Sequence, residues 1–491
     1  MPIRVFIFLT LTGLGCNLFA AYDPNENCRK AWMSLMNLRI DQAKGIVAGE
    51  LRKDPANYYC YYLDQTCDAF RLIINSDEKA YDDFLANYRK RRVIMDGKDE
   101  TSPWYLICAS EMELQVAVFS VMHNAQFSGV KKGVAAYKDL HANMKSFPGF
   151  SPNSKLDGFF NVAIVNLPPF VKWALSIMAV HVDIGKGFRI LNDYYESQRT
   201  VTGFNAEAAL YVILAAKINK TPEKLYNFVS TLDTSISNTF IHRYFRANIA
   251  YWSGKNEEAL LILRNTRYEK NPTADIIYSY MMGKVLLRKG DPAAEGYLMN
   301  YLSHLEKKEY VKEINYALAQ FYLLNGDRRK YDKYCAIVRT AGMELNERDR
   351  EALYNASVDY TPDVNLARAK LAIDGGYSDA FSRAIASFEK EHGPVPAYEM
   401  EYHLLKGRYA EYRLNNTLAM AEYRKVISLS ERTGYYFASE AALRLGDLCR
   451  NLGQKALAEG YYRQSLKLYK SRYYEYIEDK ARKGLQSLGG S

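Results

Sequence analysis

The stretch 445–465, LGDLCRNLGQKALAEGYYRQS, decides the fold. Gly446 and Gly453 precede Ala458, and Tyr462 and Ser465 follow it. A small residue, a bulky one four later and a small one seven later describe a helix face that packs closely on its neighbour. The pattern returns upstream in Gly407, Ala419, Tyr423 and Val426, and alanine recurs every 39 residues at Ala380, Ala419 and Ala458. A period of this size predicts stacked helix pairs, an all-α solenoid in which each repeat touches only its neighbours.

Outward from this stretch, further helix pairs are legible. In residues 28–57, Trp32, Leu35 and Leu38 form an apolar stripe, Ala43 opens a second helix with Val47 four beyond it, and Pro55 ends it. In residues 240–272, Gly254 breaks a first helix, Ala259 and Leu263 face inward on the second, and Pro272 closes it. Gly290-Asp291 and Gly326-Asp327 mark two more turns, because glycine suits a helix C-cap. No stretch alternates like a strand; Val116, Phe119 and Val121 fit a helical stripe. Looser joints are expected at Phe147–Leu156, Asn346–Asn365 and His392–Pro396.

The chain has 491 residues, 48% hydrophobic and 25% charged, an ordinary soluble composition. Tyrosine stands out at 41 residues; its apolar ring and polar tip suit half-buried seams between amphipathic helices. The net charge of +9 is spread among interleaved acids and bases, and the basic run Arg89, Lys90, Arg91 and Arg92 follows Asp82 and Asp83. Nucleic-acid binding would need a sustained basic stripe, so none is expected.

Residues 1–20 have the layout of a secretory signal: Arg4, an apolar run from Val5 to Leu14, then Leu18-Phe19-Ala20 with cleavage before Ala21. The alternative is a lipid anchor at Cys16, although Gly13 replaces the usual large aliphatic residue. The expectation is an exported, periplasmic protein, or an outer-membrane lipoprotein. Ala163–Val182 is apolar but broken by Pro168, Pro169 and Lys172, so no transmembrane span is expected in the mature chain. Cys28, Cys60, Cys67, Cys108, Cys335 and Cys449 would remain. Cys60 and Cys67 are roughly 10 Å apart along a helix and cannot pair. Cys28 can reach either from an adjacent helix, and buried free thiols are expected.

Leu445, Gly446, Gly453, Ala458, Tyr462 and Ser465, with Gly407, Ala419 and Tyr423, resemble tetratricopeptide repeats, though the period of 39 exceeds the usual 34. The stretch 157–191, DGFFNVAIVNLPPFVKWALSIMAVHVDIGKGFRIL, is similar to a landmark of larger tetratricopeptide proteins. These include an exported bacterial family and, more distantly, a eukaryotic family linked to the mitochondrial outer membrane and inclusion clearance. The resemblance implies a signal over 1–20, N-terminal helical repeats over 21–150, middle repeats over 151–345 and C-terminal repeats over 346–488.

Chemistry-bearing motifs are lacking. None of His123, His141, His181, His242, His304, His392 and His403 stands in a zinc-hydrolase pair, and Glu111 and Glu113 lie too far from His123 for a di-iron motif. GFSPN and GGYSD lack the second glycine of a nucleophile turn. IGKGF, at Gly185–Gly187, lacks a phosphate loop's length and hydroxyl and reads as a close helix crossing. Cys-x-x-Cys is missing, so no metal, cofactor or enzyme activity is expected.

A repeat array offers a concave groove lined by the first helix of each unit. The repeat register places Arg408, Glu411, Tyr412, Asp447, Arg450 and Asn451 there as candidate partner-binding residues, or as a solvated face of internal ion pairs. Their mixed charge does not fit a clamp for a C-terminal carboxylate. The favoured function is a non-enzymatic scaffold for a polypeptide partner, with an open groove and no strongly perturbed titratable group. The alternative is a module for a small molecule or glycan in an aromatic pocket within Asp157–Asn192. A helical hydrolase or lyase would instead need a carboxylate–His cluster.

Overall fold

The structure is a computed structural model describing residues 24–75, 78–96, 101–166, 182–219, 222–232, 236, 238–266, 271–305, 309–344, 346–391, 395–430, 435–468 and 474–489. The signal over 1–20, Cys16, His181, His392 and most of Ala163–Val182 lie outside these residues. Among the described residues there are 24 α-helices and no strand, and consecutive helices pair. The all-α solenoid is therefore what the chain builds.

The chain divides into two compact units, Met1–Ile73 with Glu78–Lys220, and Thr221–Ser491 with Ile74–Asp77. The first unit contains α1 (Glu26–Met36), α2 (Ile40–Lys53), α3 (Tyr58–Asn75), α4 (Glu78–Met95), α5 (Pro103–Met122), α6 (Gln126–Ser146), α7 (Pro152–Ala163), α8 (Ile184–Gln198) and α9 (Phe204–Ile218). The second unit opens with α10 (Pro222–Ser230), α11 (Phe240–Trp252), α12 (Asn256–Arg264), α13 (Pro272–Lys289), α14 (Ala294–Ser303), α15 (Val311–Leu324) and α16 (Arg328–Thr340). A lone α17 (Glu347–Ser357) follows. Then come α18 (Val364–Gly375), α19 (Ser378–Glu391), α20 (Pro396–Tyr412), α21 (Asn416–Ser428), α22 (Phe437–Asn451), α23 (Lys455–Leu468) and α24 (Glu475–Gly489).

One turn joins the two helices of eight hairpins. At Leu38, Asn124, Gly254, Gly290, Gly326, Gly376, Leu414 and Gly453 the backbone is left-handed, with φ between +58° and +80°. In each, the next residue donates its N–H to a carbonyl five positions back, at 2.8–3.0 Å, as in Arg39 to Ser34 and Gln454 to Cys449. The bond satisfies a carbonyl that the helix end would otherwise leave unpaired.

The repeat face is a contact between glycine and an aromatic ring. A Cβ on Gly407 would lie 2.5 Å from the Tyr423 ring, and one on Gly446 would lie 2.6 Å from the Tyr462 ring. Only glycine lets each first helix come so close to its partner. Ala419 and Ala458 are fully buried, as the period requires. Ala380 is not their equivalent: Phe381 bonds back to Tyr377 as Ala419 does to Asn415 and Ala458 to Gln454, so the register slips by one. There the ring against the first-helix glycine is Tyr377, two residues from Gly375.

Three other expectations need correction. Val116 and Phe119 are buried, but Val121 faces out. The crossing near Lys186 is made by Gly187 against Gly158, where an added Cβ would meet backbone at 2.8 Å; Gly185 meets only the Asp183 side chain. Repeats also touch more than their neighbours. In the second unit a bend over 358–360 and an extended run over 361–363 follow the lone α17. α18 then packs on α13 and α15 as well as on α20, so Asn256 donates to the Tyr377 hydroxyl at 2.8 Å across 121 residues. In the first unit α9 packs on α1.

α5 is the one described helix long and apolar enough to cross a membrane by length and composition. It carries Glu111 and Glu113, both buried, and packs along α6, so it reads as a core helix.

Candidate partner-binding face

The first helices of the C-terminal repeats carry a ladder of charged side chains. Lys370 and Asp374 stand one turn apart on α18, Arg408 and Glu411 on α20, and Glu440, Arg444 and Asp447 on α22. Spacings of three or four bring these pairs onto one helix face. Arg408 bridges α20 to α18 through Asp374 at 2.5 Å. Arg444 bridges α22 to α20, reaching Glu411 at 3.4 Å while holding its own Glu440 at 3.0 Å. From α24, Tyr476 donates to Glu440 at 3.1 Å.

Burial would raise the Asp374 carboxyl, but Lys370, Arg408 and Arg288 outweigh it and hold the group well below the usual carboxylate range. Glu440 is lowered likewise, by Arg444, Arg408 and Lys370 against burial. Glu401, further back on α20, behaves oppositely: burial pushes it up to about 7, and Lys370 and Arg408 only partly offset the rise.

The six residues expected to line the groove fall into three groups. Arg408 and Glu411 belong to the ladder, paired with Asp374 and Arg444 respectively. Asp447 and Arg450 pair with each other at 3.2 Å, and Asp447 also accepts from Tyr462 at 2.7 Å. Tyr412 is exposed and stacks on Tyr409, and Asn451 is exposed at the end of α22. The four charged residues are thus engaged in ion pairs within the repeat stack. Lys370, Asp374, Glu440, Arg444 and Tyr476 were missed. Their i, i+4 spacing was visible for Lys370–Asp374 and Glu440–Arg444, but the helix that each pair faces was not.

Beside the ladder runs an apolar edge. Tyr412, Leu414, Leu418, Leu452 and Leu457 are all exposed at the turns between α20 and α21 and between α22 and α23. Leu418 and Leu457 hold the same position in adjacent repeats.

Tyrosines account for much of the polar chemistry along the seams. Tyr423 donates to Glu411 at 2.7 Å, Tyr280 to Glu313 at 2.8 Å, Tyr377 to Glu257 at 2.8 Å and Tyr226 to Glu258 at 2.6 Å. Each ring fills a groove between helices while its hydroxyl reaches a carboxylate on a neighbouring element.

The first unit holds strongly perturbed groups, contrary to expectation for a scaffold. Lys155 on α7 lies 2.6 Å from Glu111 on α5 and also pairs with Glu207 on α9. Tyr59 and Tyr62 on α3 donate to Glu207 at 2.9 and 3.0 Å, Tyr211 donates to Glu111, and Trp32 on α1 donates to Tyr59 at 2.7 Å. Burial would lower the lysine, but the two carboxylates outweigh it and raise it well above its ordinary value; burial raises Glu111 despite Lys155. The cause is α9 packing on α1, which encloses charges that an open stack would leave wet. Only 4% of the Lys155 side chain is exposed, and the Tyr62 and Tyr211 rings stand about 5 Å from it, so no substrate reaches the amine.

In Asp157–Asn192, the described part is filled by α7 packing on α8, with Gly158 against Leu191. An open polar cleft of about 240 Å³ lies instead between α16 and the run after α17, lined by Arg328, Asp332, Arg339, Asp359 and Tyr360. Among the described residues, no group of three or more His, Cys, Asp or Glu could hold a metal ion.

No family model matches this chain, and no curated protein does. Among solved structures it is similar to a "Circular tandem repeat protein with novel repeat topology and enhanced subunit contact surfaces". That protein is 12% identical, the match covers 93% of this chain and 98% of the other, and the TM-score is 0.14, an overlap that carries no argument.

Proposed function

We propose that this chain is an exported, non-enzymatic scaffold that binds a polypeptide partner through the face of its C-terminal repeats. The observation that carries the reading is the exposed apolar edge of Tyr412, Leu414, Leu418, Leu452 and Leu457. Leucines exposed at one position in consecutive repeats favour a partner running across the stack over a compact ligand. Beside them Arg408, Glu411, Arg444, Asp447 and Arg450 alternate in sign and are paired internally. Such a face orients a partner by hydrogen bonds rather than attracting it by net charge. A tetratricopeptide identity, on the residues Gly407, Tyr423, Gly446 and Tyr462, belongs to this same reading. The periplasm, or the outer membrane with a lipid anchor at Cys16, is the compartment that the N-terminal sequence favours.

The test is affinity capture from an envelope extract, using the wild type beside a variant with Leu418→Ser and Leu457→Ser. Both leucines are exposed, so folding should survive. The reading expects one protein retained by the wild type and lost by the variant. Equal retention by both, or retention only of a small molecule or glycan, would overturn it.

A further inference from the structure

Two of the six cysteines between Cys28 and Cys449 face each other. Cys28 lies in the first turn of α1 and Cys60 in the first turn of α3, with their sulfurs 3.6 Å apart and each residue 1% exposed. Among the described residues no other sulfur pair comes within hydrogen-bonding distance, although all six cysteines are free and buried. A disulfide needs the sulfurs about 1.5 Å closer. Cys28 sits in the first turn of α1, where the helix dipole favours a thiolate. Asn25 caps α1 by accepting from the Cys28 N–H at 3.2 Å. Asn27 ties that turn to Glu50 on α2 at 2.7 Å, and Asn25 bonds to the same carboxylate. The hydrogen bond between the two sulfurs lowers Cys28, against burial, while Cys60 itself is raised.

We propose that Cys28 and Cys60 are a modification site, a dithiol that a small-molecule disulfide of the glutathione type converts to an intramolecular disulfide, fastening α1 to α3. Opening of the first turn of α1 admits the reagent. The Cys28 thiolate attacks one sulfur of the reagent, whose S–S bond breaks and releases one thiol carrying the Cys28 proton. Cys60 then attacks Cys28 Sγ of the mixed disulfide, giving up its proton to the departing second thiol. Two electrons and two protons pass to the reagent, and the protein gains one S–S bond.

The full-length protein is equilibrated with mixtures of reduced and oxidised glutathione, denatured, alkylated and mapped by mass spectrometry. Cys28 and Cys60 should leave the alkylated pool together, in a single linked peptide pair within one chain, while Cys67, Cys108, Cys335 and Cys449 stay alkylated. Hydrogen exchange of the first turn of α1 should slow at least tenfold on oxidation, and dithiothreitol should reverse both changes. The C28S variant should keep Cys60 reduced, whereas the C60S variant, lacking the resolving thiol, should stop at the glutathione adduct on Cys28. In the wild type, linkage to Cys67 or Cys108, even oxidation of all six, a stable glutathione adduct on Cys28, or full alkylation in excess oxidised glutathione would each overturn the assignment. The peptide map on the wild type decides even if a serine variant fails to fold.

Discussion

Replacing Gly446 with alanine tests the close crossing on which the repeat architecture depends. The added Cβ would stand 2.6 Å from Cδ1 and Cε1 of Tyr462 and 3.1 Å from Cγ. The ring cannot retreat, because Tyr462 is fully buried and its far side rests on Gly484 of α24. Overpacking a closed site costs about 1–3 kcal/mol, whereas alanine in place of glycine gains about 1 kcal/mol of helix propensity. The net expectation is a loss of up to about 2 kcal/mol. Gly460, exposed on α23 with nothing within 4 Å of an added methyl, supplies the opposite case: Gly460→Ala should gain about 0.5–1 kcal/mol. Native-state hydrogen exchange is the assay, since it reads α22 and α23 locally. Amides of α22 should exchange faster in Gly446→Ala, by up to about 30 times, and more slowly in Gly460→Ala. In a Tyr462→Leu background the alanine penalty should shrink, because the flat ring is its cause. If Gly446→Ala and Gly460→Ala stabilise alike, the crossing is not the close contact described.

Three further perturbations separate the remaining claims. Leu414 is exposed and left-handed at φ +58°, so Leu414→Gly should stabilise the turn by roughly 1 kcal/mol in a urea titration; a loss of stability would mean the side chain contributes more than its strain. Glu401 is pushed up to about 7 from 4.5, so its contribution is complete below about pH 4.5 and is lost as the pH rises through 7; Glu401→Gln should remove a decline on the order of 3 kcal/mol between about pH 5 and pH 8, and parallel pH profiles would refute this. Lys155→Met would leave Glu111 and Glu207 buried without their cation and should cost about 3–5 kcal/mol, with much of it recovered when both carboxylates also become glutamine; a loss under about 1 kcal/mol would show that the cluster is wet.

How far the sequence reveals this fold depends on whether a feature is local. The left-handed turn is legible at Gly254, Gly290, Gly326 and Gly453, because glycine after an apolar stripe is a strong local signal. At Leu38 and Leu414 the same geometry is silent, since leucine occupies it against its preference and the hairpin packing supplies the difference. The interior of the repeat follows from Ala419, Tyr423, Ala458 and Tyr462, each buried as its spacing demands. Ala380 misled because composition imitated a register that the chain loses by one residue. Candidate site residues were half legible: the i, i+4 charge pairs lie on one helix and can be read, but Arg408 meets Asp374 across 34 positions and no spacing encodes that. The Lys155 cluster was invisible for the same reason, as its members come from five helices.

The tyrosine seams bear on where a partner can bind. In an open solenoid, carboxylates on the first helices would remain free and give the groove a field able to attract charged ligands. Here Glu411, Glu440 and Asp447 each accept a tyrosine hydroxyl, and each also lies against an arginine of the same ladder. Charge on the inner face is thus neutralised by the stack itself, and separating these groups to admit a ligand would strand partly buried ions. Binding that keeps the ladder intact must gain its free energy elsewhere, and the exposed Tyr412, Leu414, Leu418, Leu452 and Leu457 offer the apolar surface to do so. Charge reversal within the ladder should therefore weaken folding before it weakens binding, while serine at Leu418 and Leu457 should weaken binding alone. That ordering distinguishes recognition at the repeat edge from recognition in the groove.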